Sequence, residues 1–119
     1  MQIMIPFEIT KEFVSDVLCT ALSFGGSSYW IAEIRNLSDN PKSELFSESV
    51  AEGDTIEIMD NEDNKKYKLD FNTFAVGYIR YVTYCLQNGK QVFSDPCDID
   101  AEVADTILQF ALFDNIVFS

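Results

Sequence analysis

The chain has 119 residues, 8 basic and 20 acidic side chains for a net charge of -12, and a hydrophobic share of 47%. This length and composition predict one folded domain over residues 1–119 and exclude a disordered chain. The charge disfavours direct binding to nucleic acid or to anionic membranes, and it either favours a partner with a basic surface or only keeps the chain dissolved.

The sequence carries few signals for targeting or metal binding. No stretch reaches the roughly 18 apolar residues of a membrane span, and the first residues lack the basic region of a signal peptide, so we expect a cytoplasmic protein. The absence of histidine removes the commonest general base and metal ligand. Cys19, Cys85 and Cys97 show no Cys-x-x-Cys spacing. We therefore expect reduced thiols, no cofactor and no metal.

Residues 2–8 predict an edge strand, because apolar side chains alternate around a proline. Thr10 is positioned to cap a periodic first helix, and Gly25 and Gly26 are positioned to end it. Residues 27–35 alternate in the manner of a second strand. Residues 36–52 are mostly polar, so they predict a long loop that is functional or mobile.

Residues 55–59 and 65–69 alternate around a polar turn and predict a hairpin, in which Glu57 faces Lys66 or Lys68. Asp70 or Asn72 is predicted to cap the next helix, whose apolar stripe extends to Leu86.

Two glycines lie within or just after this second predicted helix. Gly89 sits where a terminating glycine belongs. Gly77 lies in the helix interior, where it costs about 1 kcal/mol relative to alanine, so we expect close packing against another backbone.

Residues 98–119 predict a final helix with one buried face, followed by a turn at Asp114 and Asn115 and a buried strand at residues 116–118. Asp98 and Asp100 offer carboxylates to the first turn. The spacing places four polar residues on the opposite, solvent-facing side of this helix: Glu102, Asp105, Thr106 and Gln109.

The order of elements predicts an α+β fold, with an antiparallel or mixed sheet of about five strands and three helices packed on one face. The strand order stays open.

The glycine-rich stretch at residues 25–30 is the first candidate site. Two hydroxyls and two aromatic rings follow the glycines and can hold a small anion or a flat ring. The bland alternative is a turn whose tryptophan fills the core. The candidate ligand-binding residues are Ser27, Ser28, Tyr29 and Trp30.

Carboxylates form the second candidate site, a surface for a basic partner. The candidate partner-binding residues are Asp39, Glu44, Glu48, Glu52, Asp98, Asp100, Glu102 and Asp105. The acids at residues 95–105 can also hold a cation or act as an acid–base pair, but helix N-termini attract acids for dipole reasons alone. Residues 60–64 lack the glycine and glutamate of a calcium loop and favour a solvated turn.

Two motifs resemble a group of small uncharacterised proteins from phages, prophages and other bacterial mobile elements. The first is Gly25-Gly26-Ser27-x-Tyr29-Trp30, and the second is Asp100-Ala-x-x-Ala-Asp-x-x-Leu-Gln-x-Ala-Leu-Phe113. This chain has Asp114-Asn115 where the group usually has Gly-Glu, so the turn differs. The resemblance implies a mobile-element origin and carries no catalytic residue across.

These observations favour a non-enzymatic accessory protein in the host cytoplasm, which binds a host protein with a basic surface and inhibits a host function such as defence. The alternative is a module that binds or sequesters a small molecule near residues 25–30. A homodimer is compatible with both hypotheses, and direct nucleic-acid binding with neither.

Overall fold

The computed structural model describes residues 9–23 and 26–118. The fold is α+β, as predicted, but within the described residues it has four α-helices and three strands instead of three helices and about five strands. The elements are α1 (Lys11–Ser23), β1 (Ile31–Asn36), α2 (Phe46–Ala51), β2 (Ile56–Asp60), β3 (Lys66–Leu69), α3 (Phe71–Gln87) and α4 (Ala101–Phe113), with a short 3₁₀ turn at Pro96–Asp98. The strand predicted at residues 2–8 lies outside the described residues.

The sheet is antiparallel, in the order β1-β2-β3. The predicted hairpin is confirmed, because β2 pairs with β3 with Ile56 opposite Leu69. Ile56, Ile58 and Leu69 are fully buried under the helices. On the polar face, Glu57 forms ion pairs with Arg35 at 3.3 Å and with Lys66 at 3.9 Å.

The second predicted strand begins later than expected. Residues 27–30 form a turn, in which the Ser27 N–H donates to the Ala21 carbonyl at 2.8 Å and the Ser27 carbonyl accepts from Ile31 at 3.3 Å. Regular pairing with β2 starts only at Ile31. The turn forms because the Ser27 and Trp30 side chains bond to α4, as described below, which pulls this stretch away from the sheet.

The predicted long loop at residues 36–52 contains the short helix α2, so that expectation was wrong over residues 46–51. Val50 and Ala51 are buried where α2 packs on α1. Six residues are too few to show a helical period. The rest of the segment is held by Asp54, whose carboxylate accepts from the Lys42 N–H at 2.8 Å; that bond lowers the pKa of Asp54.

The starts of α1, α3 and α4 and the end of α3 follow the predicted capping, whereas Gly25, one of the two glycines predicted to end α1, lies outside the described residues. Thr10, Asp70 and Asp100 each accept from a backbone N–H in the first turn, at 3.1, 2.8 and 2.9 Å. Gly89 takes a φ of 63° after α3, and the next N–H returns to the Cys85 carbonyl at 2.8 Å. This is the geometry with which glycine closes a helix.

The contact expected at Gly77 is confirmed. A Cβ atom added there would lie 2.4 Å from the Cβ of Ala111 and 2.5 Å from its Cα. Glycine therefore lets α3 and α4 approach backbone to backbone. The predicted apolar stripe of α3 is only partly buried, since Phe74, Tyr78 and Val82 enter the core but Ile79 and Leu86 are exposed.

The predicted terminal strand does not form. Asp114 turns the chain in a left-handed conformation with φ 60°, and residues 116–118 then run back along α4. Their backbone bonds to the Gln109 side chain instead of a sheet. No helix in the described part of the chain is long and apolar enough to cross a membrane.

Candidate functional site

Asp105 on α4 accepts hydrogen bonds from four side chains. Its Oδ1 accepts from Ser27 Oγ and from Trp30 Nε1, both at 2.7 Å. Its Oδ2 accepts from the Tyr29 hydroxyl at 2.6 Å and from Gln109 Nε2 at 3.0 Å. Asp105 is 6% exposed and Gln109 is 1% exposed. The expectation that both residues lie on a solvent-facing side of α4 was therefore wrong.

Burial of this carboxylate is tolerated because four donors replace its lost hydration. All of the donors except Gln109 come from the turn at residues 27–30, which lies directly against the start of α4. A Cβ added at Gly26 would lie 2.7 Å from the Ala101 carbonyl oxygen. Glycine at this position therefore lets the turn approach α4 closely enough for its side chains to reach Asp105.

The Tyr29 hydroxyl acts as a fixed donor. Partial burial is the larger cause and the hydrogen bond to Asp105 the second cause that raise the pKa of Tyr29 to about 12. The hydroxyl therefore keeps its proton at neutral pH, while its oxygen accepts from Gln109 Nε2 at 3.2 Å. The ring itself is 48% exposed, so it can contact a ligand.

Gln109 links this cluster to the terminal segment. Its Oε1 accepts from the N–H groups of Val117 and Phe118, both at 2.8 Å, and its Nε2 donates to the Phe118 carbonyl at 3.0 Å. The Phe118 ring stacks parallel on Trp30, with ring centroids 5.0 Å apart. One buried amide thus provides the hydrogen bonds that a neighbouring strand would supply.

A groove of about 750 Å³ opens beside this cluster. It lies between the turn after Gly26, the end of α3, the segment that follows α3, the start of α4 and the terminal segment. Its volume is within the range of small-molecule sites. The aromatic side chains that line it are Tyr29, Tyr81, Tyr84, Phe93 and Phe118.

The charged side chains in this groove are few. Glu102 and Asp105 contribute two carboxylates, and Lys90 contributes one ammonium. Lys90 Nζ donates to the Tyr84 hydroxyl at 3.1 Å and lies 5.0 Å from the centre of that ring. The ammonium group is therefore already engaged with the wall.

The four predicted ligand-binding residues occupy different places. Tyr29 lines the groove. Ser27 and Trp30 are buried behind it, at 0% and 1% exposure. Both bond to Asp105, and Trp30 also supports the Phe118 ring of the groove wall. Ser28 is exposed and does not line the groove. A ligand in the groove would thus touch Tyr29 but neither Ser27 nor Trp30.

The eight predicted partner-binding acids do not form one surface. Glu48 of α2 and Glu52, the residue after α2, line a second groove of about 770 Å³, opposite Glu12 and Asp16 of α1. Sequence reasoning missed Glu12 and Asp16, although their i, i+4 spacing on the polar side of α1 was visible. Of the two lysines in this groove, Lys11 pairs with Glu52 at 3.2 Å.

The remaining predicted acids lie elsewhere. Asp39 and Glu44 are exposed in the segment before α2, and Asp98 is exposed in the 3₁₀ turn. Asp100 caps α4, and Glu102 lines the aromatic groove. Asp105 is buried, so its inclusion in a partner-binding surface was wrong: the turn at residues 27–30 covers it.

The polar turn of the hairpin uses its own carboxylate. Asp60 accepts from the N–H groups of Asp63 at 2.7 Å and Glu62 at 3.0 Å, and these bonds lower its pKa. The turn thus bonds two of its own backbone N–H groups to its own carboxylate, in agreement with the prediction of a turn and not a calcium loop. Within residues 9–23 and 26–118, no cluster of three or more acidic or cysteine side chains is placed to hold a metal ion.

The three thiols are free. Cys85 is buried, as predicted, and Cys19 is half-buried. Cys97 is exposed, but the neighbouring Asp95 carboxylate raises its pKa and keeps the thiol protonated at neutral pH. A protonated thiol is a weak nucleophile.

The two motifs named in the sequence analysis meet in this cluster, since Ser27, Tyr29 and Trp30 of the first bond to Asp105 of the second. The motifs are thus two halves of one hydrogen-bonded cluster. Protein-family models, curated proteins and solved structures show no match to this chain.

Proposed function

We propose that the protein is a non-enzymatic binding protein and that the aromatic groove beside Asp105 holds a flat, uncharged ring compound. The supporting observation is the set of four donors that fixes Asp105 and positions Tyr29 in the groove wall. A wall fixed in this way loses little conformational entropy when a ligand binds. Concave sites lined by aromatic residues with a few polar groups are the usual form of a small-molecule site.

The charges of the wall select among ligands. Two carboxylates face one ammonium that is already engaged with Tyr84, so the groove disfavours an anion. The Tyr29 hydroxyl and the Gln109 amide are satisfied by each other and by Asp105. We therefore expect a ligand to be recognised by stacking against Tyr29, Tyr84 and Phe118. Of the two ligand types that the sequence suggested, the structure favours a flat ring over a small anion.

Native mass spectrometry of the protein recovered from host lysate tests this proposal. A small, stoichiometric added mass is expected, and it should be lost in Tyr84→Ala, which removes one aromatic wall. Leu45→Ala is the matched control, because Leu45 is an exposed apolar residue outside the groove. A protein that carries no added mass and binds no member of a panel of flat heteroaromatic compounds would contradict the proposal.

A second candidate function is inhibition of a host protein through an acidic surface, in keeping with the predicted phage or prophage origin and a site of action in the host cytoplasm. The observation that favours it is the groove between α1 and α2. Four carboxylates line it against two lysines: Lys11 is paired with Glu52, and Lys42 Nζ donates to the Glu52 carbonyl at 3.0 Å. The carboxylates are those of Glu12, Asp16, Glu48 and Glu52. This charge suits a basic protein surface and opposes nucleic acid.

The triple variant E12Q/D16N/E48Q tests this second function, because it removes three of the four carboxylates. If a host protein is recovered with the chain from lysate, the triple variant should bind that protein more weakly, and the binding should lose most of its salt dependence. The matched control, D39N/E44Q, neutralises exposed acids outside this groove and should bind normally. Binding that is equally strong at low and high ionic strength would exclude the electrostatic mechanism.

The acids considered for catalysis have structural roles. Asp100 caps α4 at 2.9 Å from the Val103 nitrogen, and Asp105 is engaged by four donors. These contacts support a binding role for the domain. The double variant D100N/D105N should lower the free energy of unfolding. If the chain has an enzymatic activity, and the folded double variant loses that activity, the non-enzymatic proposal is contradicted.

A further inference from the structure

Helix α3 carries a second apolar stripe on the side away from the core. Val76, Ile79 and Leu86 are 44, 42 and 58% exposed. Thr83 lies between them and bonds to the Ile79 carbonyl within the same helix at 3.0 Å. The intervals of three, four and three residues are those of the apolar seam of a two-helix coiled coil. On the opposite side, Gly77 packs against α4, so the stripe is not part of the core.

The charge of α3 is unusual for this chain. Its 17 residues contain no aspartate or glutamate, whereas the whole chain has 20. Its one charged residue, Arg80, pairs with Asp114 at 3.0 Å and donates to the Phe110 carbonyl at 3.0 Å. Two copies of an acidic protein can therefore meet at α3 without bringing carboxylates together, and a basic partner would gain nothing there.

The stripe is also self-complementary. When two copies of α3 run antiparallel about a two-fold axis near residue 81, Val76 of one copy meets Leu86 of the other. In the same register Ile79 meets Thr83. An isologous interface needs a patch that matches itself under two-fold rotation, and the 3-4-3 spacing of this stripe meets that requirement.

We propose that α3 is a self-association surface through which two copies of this chain form an antiparallel dimer. A helix of this length extends roughly 25 Å, and its seam holds three large apolar residues. The buried area therefore falls at the low end for specific interfaces. Such a dimer is weak and concentration-dependent. This surface is independent of both proposed binding functions.

Sedimentation equilibrium over a range of protein concentrations tests the proposal. The average mass of the unmodified chain should rise from 13.5 kDa towards twice that value as concentration increases. Ile79→Glu places a carboxylate opposite Thr83 of the other copy and should weaken association at least tenfold. Leu45→Glu adds the same charge at an equally exposed residue outside α3 and should leave association unchanged.

Disulfide trapping tests the antiparallel arrangement, in a Cys97→Ser background because Cys97 is exposed. The I79C/T83C variant should form a covalent dimer readily, and Val76→Cys alone should not. Efficient trapping through Val76→Cys would overturn the antiparallel register. An unmodified chain that stays monomeric at every concentration would overturn self-association, and so would a monomer that binds a different protein through α3.

Discussion

Gln109 bonds to both backbone polar groups of Phe118, its N–H and its carbonyl. Its Oε1 accepts from the Phe118 N–H at 2.8 Å, and its Nε2 donates to the Phe118 carbonyl at 3.0 Å. This places the Phe118 ring flat on Trp30. A single buried side chain therefore fixes both the backbone of the terminal segment and the aromatic wall that it contributes to the groove.

Gln109→Leu should release the terminal segment. Leucine has nearly the same volume but offers neither donor nor acceptor, so the N–H groups of Val117 and Phe118 lose their partner and Asp105 loses one donor. We expect a loss of about 2 kcal/mol in the free energy of unfolding and fast hydrogen exchange at both amides. Slow exchange at Val117 and Phe118 in the variant would show that other contacts hold the segment.

Asp105→Asn should destabilise the fold strongly. The asparagine NH₂ group would face either Trp30 Nε1–H or the Gln109 NH₂ group, neither of which can accept, so at least one donor that now points at the carboxylate would lose its acceptor. We expect a loss of about 3 kcal/mol, measured by urea unfolding. Glu102→Gln is the control, since Glu102 is exposed on the same helix and should change stability by less than about 0.5 kcal/mol. Equal effects of the two changes would contradict the assigned role of Asp105.

Gly77→Ala should lower stability even though alanine favours helices. The added Cβ would lie 2.4 to 2.7 Å from the Cβ, Cα and N atoms of Ala111, two of which are backbone atoms. Overpacking of about 1–3 kcal/mol should outweigh a helix-propensity gain of about 1 kcal/mol and lower the thermal midpoint.

Gly89→Ala separates close packing from backbone strain. Gly89 has a φ of 63° and no atom within 4 Å of an added Cβ, so only strain should act there, at about 1 kcal/mol. An unchanged or raised thermal midpoint in Gly77→Ala would contradict the close contact between α3 and α4.

Alkaline pH should weaken the fold through its tyrosines. Burial and Asp105 raise the pKa of Tyr29 from 10.0 to about 12, and burial raises that of Tyr78 to about 12. Between about pH 10 and 12 the folded state keeps the hydroxyl protons of Tyr29 and Tyr78, whereas the unfolded state loses them. The stabilisation is thus complete below pH 10 and lost between about pH 10 and 12.

Tyr29→Phe isolates one contribution to this loss. The variant should be less stable at neutral pH, because Asp105 loses a donor, and its stability should fall less steeply above pH 10. Chemical unfolding at several pH values measures both effects, and tyrosinate absorbance locates the ionisation. An unchanged slope in the variant would show that Tyr29 does not carry this pH dependence.

Local signals allowed much of the fold to be predicted. The side chains of Thr10, Asp70 and Asp100 bond within three residues of their own position, and the hairpin strands are close neighbours in the chain. Such contacts leave a pattern in a short window. The requirement for glycine at position 77 was visible for the same reason, because a glycine inside a strongly periodic helix is costly unless packing requires it.

The candidate site was only partly predictable. Asp105 and Gln109 occupy the polar positions of an amphipathic helix. The sequence pattern of such a helix is the same whether water or a distant turn forms hydrogen bonds to its polar side chains, so the pattern could not reveal their burial. Their partners Ser27, Tyr29 and Trp30 lie 75 to 80 positions away, beyond any local pattern. The terminal strand was predicted wrongly because the short apolar run at residues 116–118 cannot show that a glutamine side chain replaces the neighbouring strand.

The separation in sequence between Asp105 and its donors also has a kinetic consequence. The turn after α1 must meet α4 before any of these hydrogen bonds can form, and closing a loop of more than 70 residues is entropically slow compared with forming the β2–β3 hairpin. The Asp105 cluster should therefore assemble after the folding transition state. Substitutions there should speed unfolding and hardly change the folding rate, so this cluster determines how long the folded state lasts once formed.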